Sequence, residues 1–405
     1  MMRKSSFLTA ALLAAAMCAP ASATNTFTAA QYKKAQNAIK QMETTNLVVF
    51  GNANMSSDVE GKTYIGGNLT GGGTFGVGHA GKSEKTWALE RTLTVGGNMS
   101  ANININSGSG VGTGGKVDVA IGGNSTGTIS MNNGSQHGQV EVGGTFNAQN
   151  FNPNSTKTAT YGMTASGVQT QDKTYVKQDT KLKAGGSNDL KAVIAAETAG
   201  LVSQMSTLSQ ILGALTPNAT LNSSNQNNIQ FNFSADATNG SFAVADITAS
   251  QLASGTFFLP QYASAKTLIV NVSGTNVNFG ANAAGAYTGS DQTNIIYNFL
   301  DATTISVNTA IYGSILAPKA TITGSQQLNG SIVAKVFNYQ GEVHLGTFAG
   351  QTPFLVTVPH GGGGGSNTGV GDVPEPASWM TMLLGFGFMG SIIRRQRRKE
   401  RLAAA

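Results

Sequence analysis

Four times in its first third the chain writes a β-branched residue, two glycines and a small polar residue. The units are Ile65-Gly-Gly-Asn68, Val95-Gly-Gly-Asn98, Ile121-Gly-Gly-Asn124 and Val142-Gly-Gly-Thr145, at intervals of 30, 26 and 21 residues. A short unit recurring at roughly 20–50 residues cannot bury its apolar face alone and must stack on its neighbours. Before the glycines the side chains alternate. Val117, Val119 and Ile121 are interleaved with Lys116, Asp118 and Ala120, and Ile103 and Ile105 with Asn102, Asn104 and Asn106. Period two means strand, with one face buried. The glycine pair is expected to supply the positive φ that turns a corner. The unequal intervals imply loops of variable length.

The predicted fold is therefore mainly β: an irregular parallel β-solenoid (β-helix) over residues 46–358. Ile65, Val95, Ile121 and Val142 should be buried. Two segments carry the helical period instead. In 28–45 the residues Tyr32, Ala35, Ile39 and Met42 share a stripe and form a cap within 24–45. In 187–215 Leu190, Val193, Ile194, Leu201, Met205, Leu208, Leu212 and Leu215 recur every three or four residues, and Pro217 closes the segment. So long an amphipathic helix needs a wall, and the flank of the solenoid supplies one. Residues 150–186 read as a polar surface excursion. Strands resume after 225, and two units, GSILAPKATIT at 313 and GSIVAKVFNYQ at 330, lie 17 residues apart, about one coil.

The ends obey a different logic. Arg3 and Lys4, an apolar run from Phe7 to Met17, and Ala21-Ser22-Ala23 form a secretory signal peptide over 1–23, with cleavage expected after Ala23. It removes Cys18, the lone cysteine, so no disulfide is expected in the mature chain. A glycine-rich tether over 359–372 follows the β region; by random-coil scaling it reaches about 20 Å. Then come Val373, Pro374, Glu375 and Pro376, an apolar run from Ala377 to Ile393, and Arg394, Arg395, Arg397 and Arg398. Seventeen helical residues span about 25 Å, the lower limit for crossing a bilayer. The arginines hold the C-terminus on the cytoplasmic side, so the bulk of the chain lies outside.

These segments also carry the basic charge. The formal net charge is +6, but the leader contributes Arg3 and Lys4, and the tail six basic residues against Glu375 and Glu400. Residues 24–373 keep 17 of each sign, which removes the support for a nucleic-acid partner.

Val373-Pro374-Glu375-Pro376, one apolar helix and an arginine cluster resemble the PEP-CTERM sorting signal. That resemblance implies a Gram-negative envelope, transient inner-membrane insertion and processing by an exosortase. Three further stretches, LVVFGNANMSSDVEGKTYIGGNL (47–69), the GSILAPKA and LNGSIVAK pair (313–335) and GEVH (341–344), resemble the choice-of-anchor A family. The resemblance implies an ice-binding-like adhesive solenoid with a long helix beside the coils and no catalytic residues.

Chemistry-bearing residues are sparse. His79, His137, His344 and His360 are widely spaced, with no His or Cys at ligand spacing. Asp58 and Glu60 share a strand face, but no calcium-loop motif accompanies them. Thr92-Leu-Thr94 and Thr321-Ile-Thr323 each set two hydroxyls on one strand face. Regular ranks of such steps would suit ice; a neutral polar face would suit a glycan or matrix.

The expectation is an exported, non-enzymatic structural or adhesive protein of the cell surface or extracellular matrix, without cofactor or metal. Its partners would be signal peptidase, an exosortase and a surface glycan or exopolysaccharide. The alternatives are an ice-binding protein and a polysaccharide-acting β-helix enzyme.

Overall fold

A computed structural model describes residues 27–355, except 77–90, 107–116, 132–137, 152, 154–156, 223, 226, 234–241, 259–266 and 285–292. The expected signal peptide and its cleavage site, the glycine-rich stretch, Val373–Pro376, the apolar run and its arginines lie outside the described residues. The same holds for His79, His137 and His360. No helix among the described residues is long and apolar enough to cross a membrane.

The fold is mainly β, with mostly parallel strands in a large sheet and three helices. Strands β1 (Leu47–Val49), β2 (Ala53–Met55), β3 (Thr63–Ile65), β4 (Leu69–Phe75), β5 (Leu93–Val95), β6 (Asn102–Ile105), β7 (Val117–Ile121), β8 (Ile129–Ser130) and β9 (Gly138–Val142) sort into two ladders. In the first, β1, β3, β5, β7 and β9 lie side by side in parallel, so that Val49, Ile65, Val95, Ile121 and Val142 are successive partners. The last four are all buried, as the repeat predicts. The second ladder runs β2, β4, β6, β8. The 17-residue pair is also one rung apart, with Ile315 beside Ile332.

The glycine pairs serve a purpose other than the expected one. None of the eight has a positive φ. They are small because something passes close to each. A Cβ on the second glycine would strike an asparagine from the rung before: Gly97 at 2.2 Å from Asn68 Oδ1, Gly123 at 2.3 Å from Asn98 Oδ1. A Cβ on the first would strike the preceding rung's backbone and, at three of the four, the long helix. Gly66 meets Thr198, Gly96 meets Ile194 and Gly122 meets the Cα of Lys191.

Helix α1 (Ala29–Thr44) is capped by Thr28, whose hydroxyl accepts from the Gln31 N–H while the Gln31 side chain returns to the Thr28 N–H. Helix α2 (Leu190–Gly213) starts at Asp189, whose side chain accepts from the Ala192 N–H. Its terminal residues come down on Gly122 and Asn271, seven rungs apart. Seven rungs at about 4.8 Å span ~34 Å, and the helix from Lys191 to Leu212 rises ~31 Å, so its length matches the wall. Leu201, Met205 and Leu208 are buried against that wall, as the stripe predicts. Val193 departs from the prediction at 44% exposed.

The two helices change the first ladder. Val48, Tyr64, Ala120, Leu316 and Val333 pack beneath them, so both faces of these strands are buried. Asp118 and Ala120, expected on the open side of β7, are buried for the same reason.

Residues 150–186 are not a surface excursion. Lys157–Tyr161 pairs with β9 and Val176–Gln178 pairs with Lys157–Tyr161, adding two parallel rungs. Their inward residues are Lys157, Ala159, Tyr161 and Val176, and with a lysine and an alanine among them the apolar alternation is too weak to read.

Beyond α2 the chain climbs a second run of rungs: Ala243–Thr248, Leu268–Ser273, Ile295–Asn298, Ser314–Gly324 and Ile332–Tyr339. One pairing among them is antiparallel, Ala219–Asn222 with Ile229–Phe233. The last strand then docks in parallel on β1, with Leu47 beside Ile332. The chain thus begins in the middle of its own ladder. It builds outward to one end, returns along α2, and builds back from the other end.

A candidate binding face

Where the helices leave the sheet uncovered, the residue between each inward pair points to solvent. Parallel register places these residues one above another. Asn278 lies beside Ser306, Ser306 beside Thr323, Thr323 beside Asn338, Asn338 beside Asn54 and Asn54 beside Thr70. Bridges through Leu69, Met99, Ser125 and Phe146 carry the file on to Ser100, Thr126 and Asn147, and Asn147 pairs with Ser166. Ten successive rungs therefore present an amide or a hydroxyl, nine of them exposed and Asn147 half-buried. No member is charged or aromatic. At about 4.8 Å per rung the file is ~43 Å long.

A second file runs two residues earlier on each strand: Asn276, Thr304, Thr321, Val336, Asn52, Asn68, Asn98, Asn124 and Thr145. Here the repeat asparagines find their role. Asn52 Oδ1 accepts from the Asn68 N–H at 2.9 Å, Asn68 from Asn98 at 2.7 Å, Asn98 from Asn124 at 2.9 Å and Asn124 from Thr145 at 2.9 Å. Each side chain ties its rung to the next through its oxygen. The second glycine of each pair leaves room for that oxygen. Further side-chain links, Thr304 Oγ1 to Asn276 Oδ1 and Thr309 Oγ1 to Asn282 Oδ1, stiffen the other half.

The two threonine steps part company. Thr323 stands in the first file and Thr321 in the second. Thr92 and Thr94 are buried instead, since Thr94 sits in register between Tyr64 and Ala120 beneath the helices. The Oγ1 atoms of Thr63 and Thr92 are buried without a hydrogen-bond partner.

The acidic pair is absorbed into the scaffold. Asp58 Oδ1 accepts from the Thr74 N–H at 2.8 Å, and Glu60 Oε2 accepts from the Leu345 N–H at 2.5 Å. His344 Nε2 lies 2.8 Å from Glu342 Oε2. No group of three His, Cys, Asp or Glu able to hold a metal gathers among the described residues.

The parallel ladders, the long helix on their flank and the final strand closing on the first all fall within residues 39–345. That span matches the family model of the ice-binding-like adhesive domain. The chain belongs to this family. Residues 372–399 match the PEP-CTERM protein-sorting motif, which implies export, exosortase processing and a C-terminal membrane anchor in a Gram-negative bacterium. No curated protein and no solved structure matches the chain. Within the adhesive domain, Asn54, Ser306 and Asn338 are face residues that sequence reasoning passed over. The legible signal was the exposed position two residues after each repeat asparagine, occupied by Thr70, Ser100 and Thr126.

Proposed function

We propose that this is an exported, non-catalytic adhesive protein of the cell surface or exopolysaccharide matrix. In this reading the ladders are the coils of an irregular β-solenoid, and the two polar files are its contact face. The observation that carries it is the ten-rung file of uncharged amides and hydroxyls, held in register by an apolar interior. Such a face neither steers toward charge nor offers an apolar patch to a protein partner. It complements a surface that itself presents hydroxyl groups. The mixture of Asn, Ser and Thr, broken by Val336, favours a hydrated polymer over the repeating lattice of ice.

Delivery follows from the ends. Signal peptidase cuts after Ala23, the short apolar segment parks the chain with Arg394, Arg395, Arg397 and Arg398 inside, and an exosortase acts at Val373–Pro376.

The test has two arms. Mass spectrometry of the mature C-terminus is compared between an exosortase-positive host and one lacking the enzyme; a terminus at Ala405 in both overturns the sorting reading. Attachment of cells to their own matrix is compared between the unchanged protein and Asn54→Lys/Thr323→Lys. Equal attachment overturns the adhesive-face reading.

A further inference from the structure

The first polar file ends at Asn147 and Ser166, and there the surface is no longer open. Asn147, Gln149, Asn150, Ser166, Gln169 and Asp172 line a cleft of about 540 Å3. That volume is in the range of small-molecule sites. Its floor is Phe151, buried and packed edge-on against Phe146 with ring centroids 5.6 Å apart.

Three observations single the cleft out. Asn150 holds φ 66, the one positive-φ residue other than glycine among those described. It stands in the turn closed by the Phe151 N–H, which donates to the Ala148 carbonyl at 3.1 Å, and that turn shapes the lip of the cleft. Gly167, with φ 72, faces it, and a Cβ there would stand 3.0 Å from the Gln149 nitrogen. The lip is thus built by two left-handed residues on adjacent rungs. The third observation is chemical. Asn147 is committed, donating from Nδ2 to the Thr126 carbonyl at 3.0 Å and accepting at Oδ1 from the Gln149 N–H at 3.1 Å. The side chains of Gln149, Asn150, Ser166, Gln169 and Asp172 have no partner among the described residues. Three amides, one hydroxyl and one carboxylate therefore line one concavity with no side-chain hydrogen bond to another described residue.

We infer that this cleft is a saccharide subsite, taking one to three units at the end of a neutral glycan whose remaining length lies along the polar files. The inference rests on the adhesive-face reading. The chemistry is selective. Each amide both donates and accepts, as each sugar hydroxyl does, and a carboxylate can accept from two neighbouring hydroxyls of one ring. A lone carboxylate among amides supplies too few ligands for a cation and repels an acidic sugar. Phe151 is only 2% exposed and offers little ring surface, so recognition rests on hydrogen bonds rather than on ring stacking. The cleft also continues the file directly: Ser166 is both its wall and the tenth member of the row.

The test uses the full-length protein in mild detergent, titrated with neutral trisaccharides of glucose, galactose, mannose and N-acetylglucosamine, and with alginate oligomers. Three proteins are compared: unchanged, Gln169→Ala/Asp172→Ala, and Val193→Ser as a surface control. The expected result is binding of a neutral trisaccharide that weakens roughly ten-fold or more in the cleft variant, as loss of a charge-assisted hydrogen bond implies. The Val193→Ser control, on the exposed side of α2 and outside the cleft and both files, should bind the trisaccharide as the unchanged protein does. The inference is overturned if no neutral trisaccharide binds at millimolar concentration, if the cleft variant binds unchanged, or if alginate oligomers bind better. The face reading fails separately, through unchanged cell attachment of the Asn54→Lys/Thr323→Lys variant. Unfolding midpoints of the variants, all at solvent-facing positions, establish that each is folded.

Discussion

Asn46 Nδ2 donates to the carbonyl of Gly330 at 2.5 Å, across 284 residues of chain. The same nitrogen lies 3.0 Å from the His344 carbonyl, and Oδ1 accepts from the Gly61 N–H at 3.0 Å. One fully buried amide thus ties the first rung to the rung that follows it and to the two chain segments that return last.

Replacing this amide tests the seam. Asn46→Ala removes three hydrogen bonds and strands the buried Gly330 carbonyl and Gly61 N–H and the half-buried His344 carbonyl, at a cost of about 2–4 kcal/mol. Asn46→Asp should not rescue it, because a carboxylate would face two carbonyl oxygens. Urea unfolding of both variants is the measurement. A midpoint near that of the unchanged protein would mean that the seam carries little of the stability.

The docking of α2 is tested by a pair of substitutions. Leu208 is completely buried, so Leu208→Ala should cost about 2–5 kcal/mol. Val193 is exposed, and Val193→Ser should change stability by less than about 0.5 kcal/mol. Similar effects at both positions would place the helix elsewhere.

Two glycines should respond with opposite sign. Gly97→Ala drives a methyl to 2.2 Å from Asn68 Oδ1 and must break a link of the asparagine ladder. A loss of at least about 2 kcal/mol is expected. Gly200 lies inside α2 with nothing within 4 Å of its would-be Cβ, so Gly200→Ala should stabilise by up to about 1 kcal/mol. Thermal unfolding reads both.

Asp118 makes stability depend on pH. Burial pushes its carboxyl from 3.8 up to about 7, and one hydrogen bond from the Gln139 N–H offsets this only partly. The folded state therefore keeps a proton that the unfolded state has released. That contribution is complete below pH 4 and is lost as pH rises through 7. Asp118→Asn should flatten the slope between pH 4 and 7 and stabilise the protein at pH 8, by on the order of 2–4 kcal/mol. Equal slopes in denaturation midpoints measured at pH 4.5, 6 and 8 would sink this assignment.

The sequence by itself determined the local pieces of the fold. Alternation set which residues face inward in the repeat strands, and the 30, 26 and 21 intervals are the lengths of successive rungs. The helical period found α1 and α2, and the C-terminal sorting motif, which implies export, was legible as well. These are local properties, written in residues a few positions apart, and period two or 3.6 survives any context that keeps one face buried. Only the tertiary structure decided which pieces meet. Nothing near Leu47 announces Ile332, because a pairing across so long a loop leaves no local pattern, and any strand with the same alternation fits as well. That pairing fixes everything found on the surface. It stacks Asn338 on Asn54 and joins two half-files into one, while the helices cover Thr94 and leave Thr323 exposed. Identical Thr-x-Thr steps meet opposite fates because exposure belongs to what packs above a strand, and for these strands that is a helix reached through a hundred residues of chain.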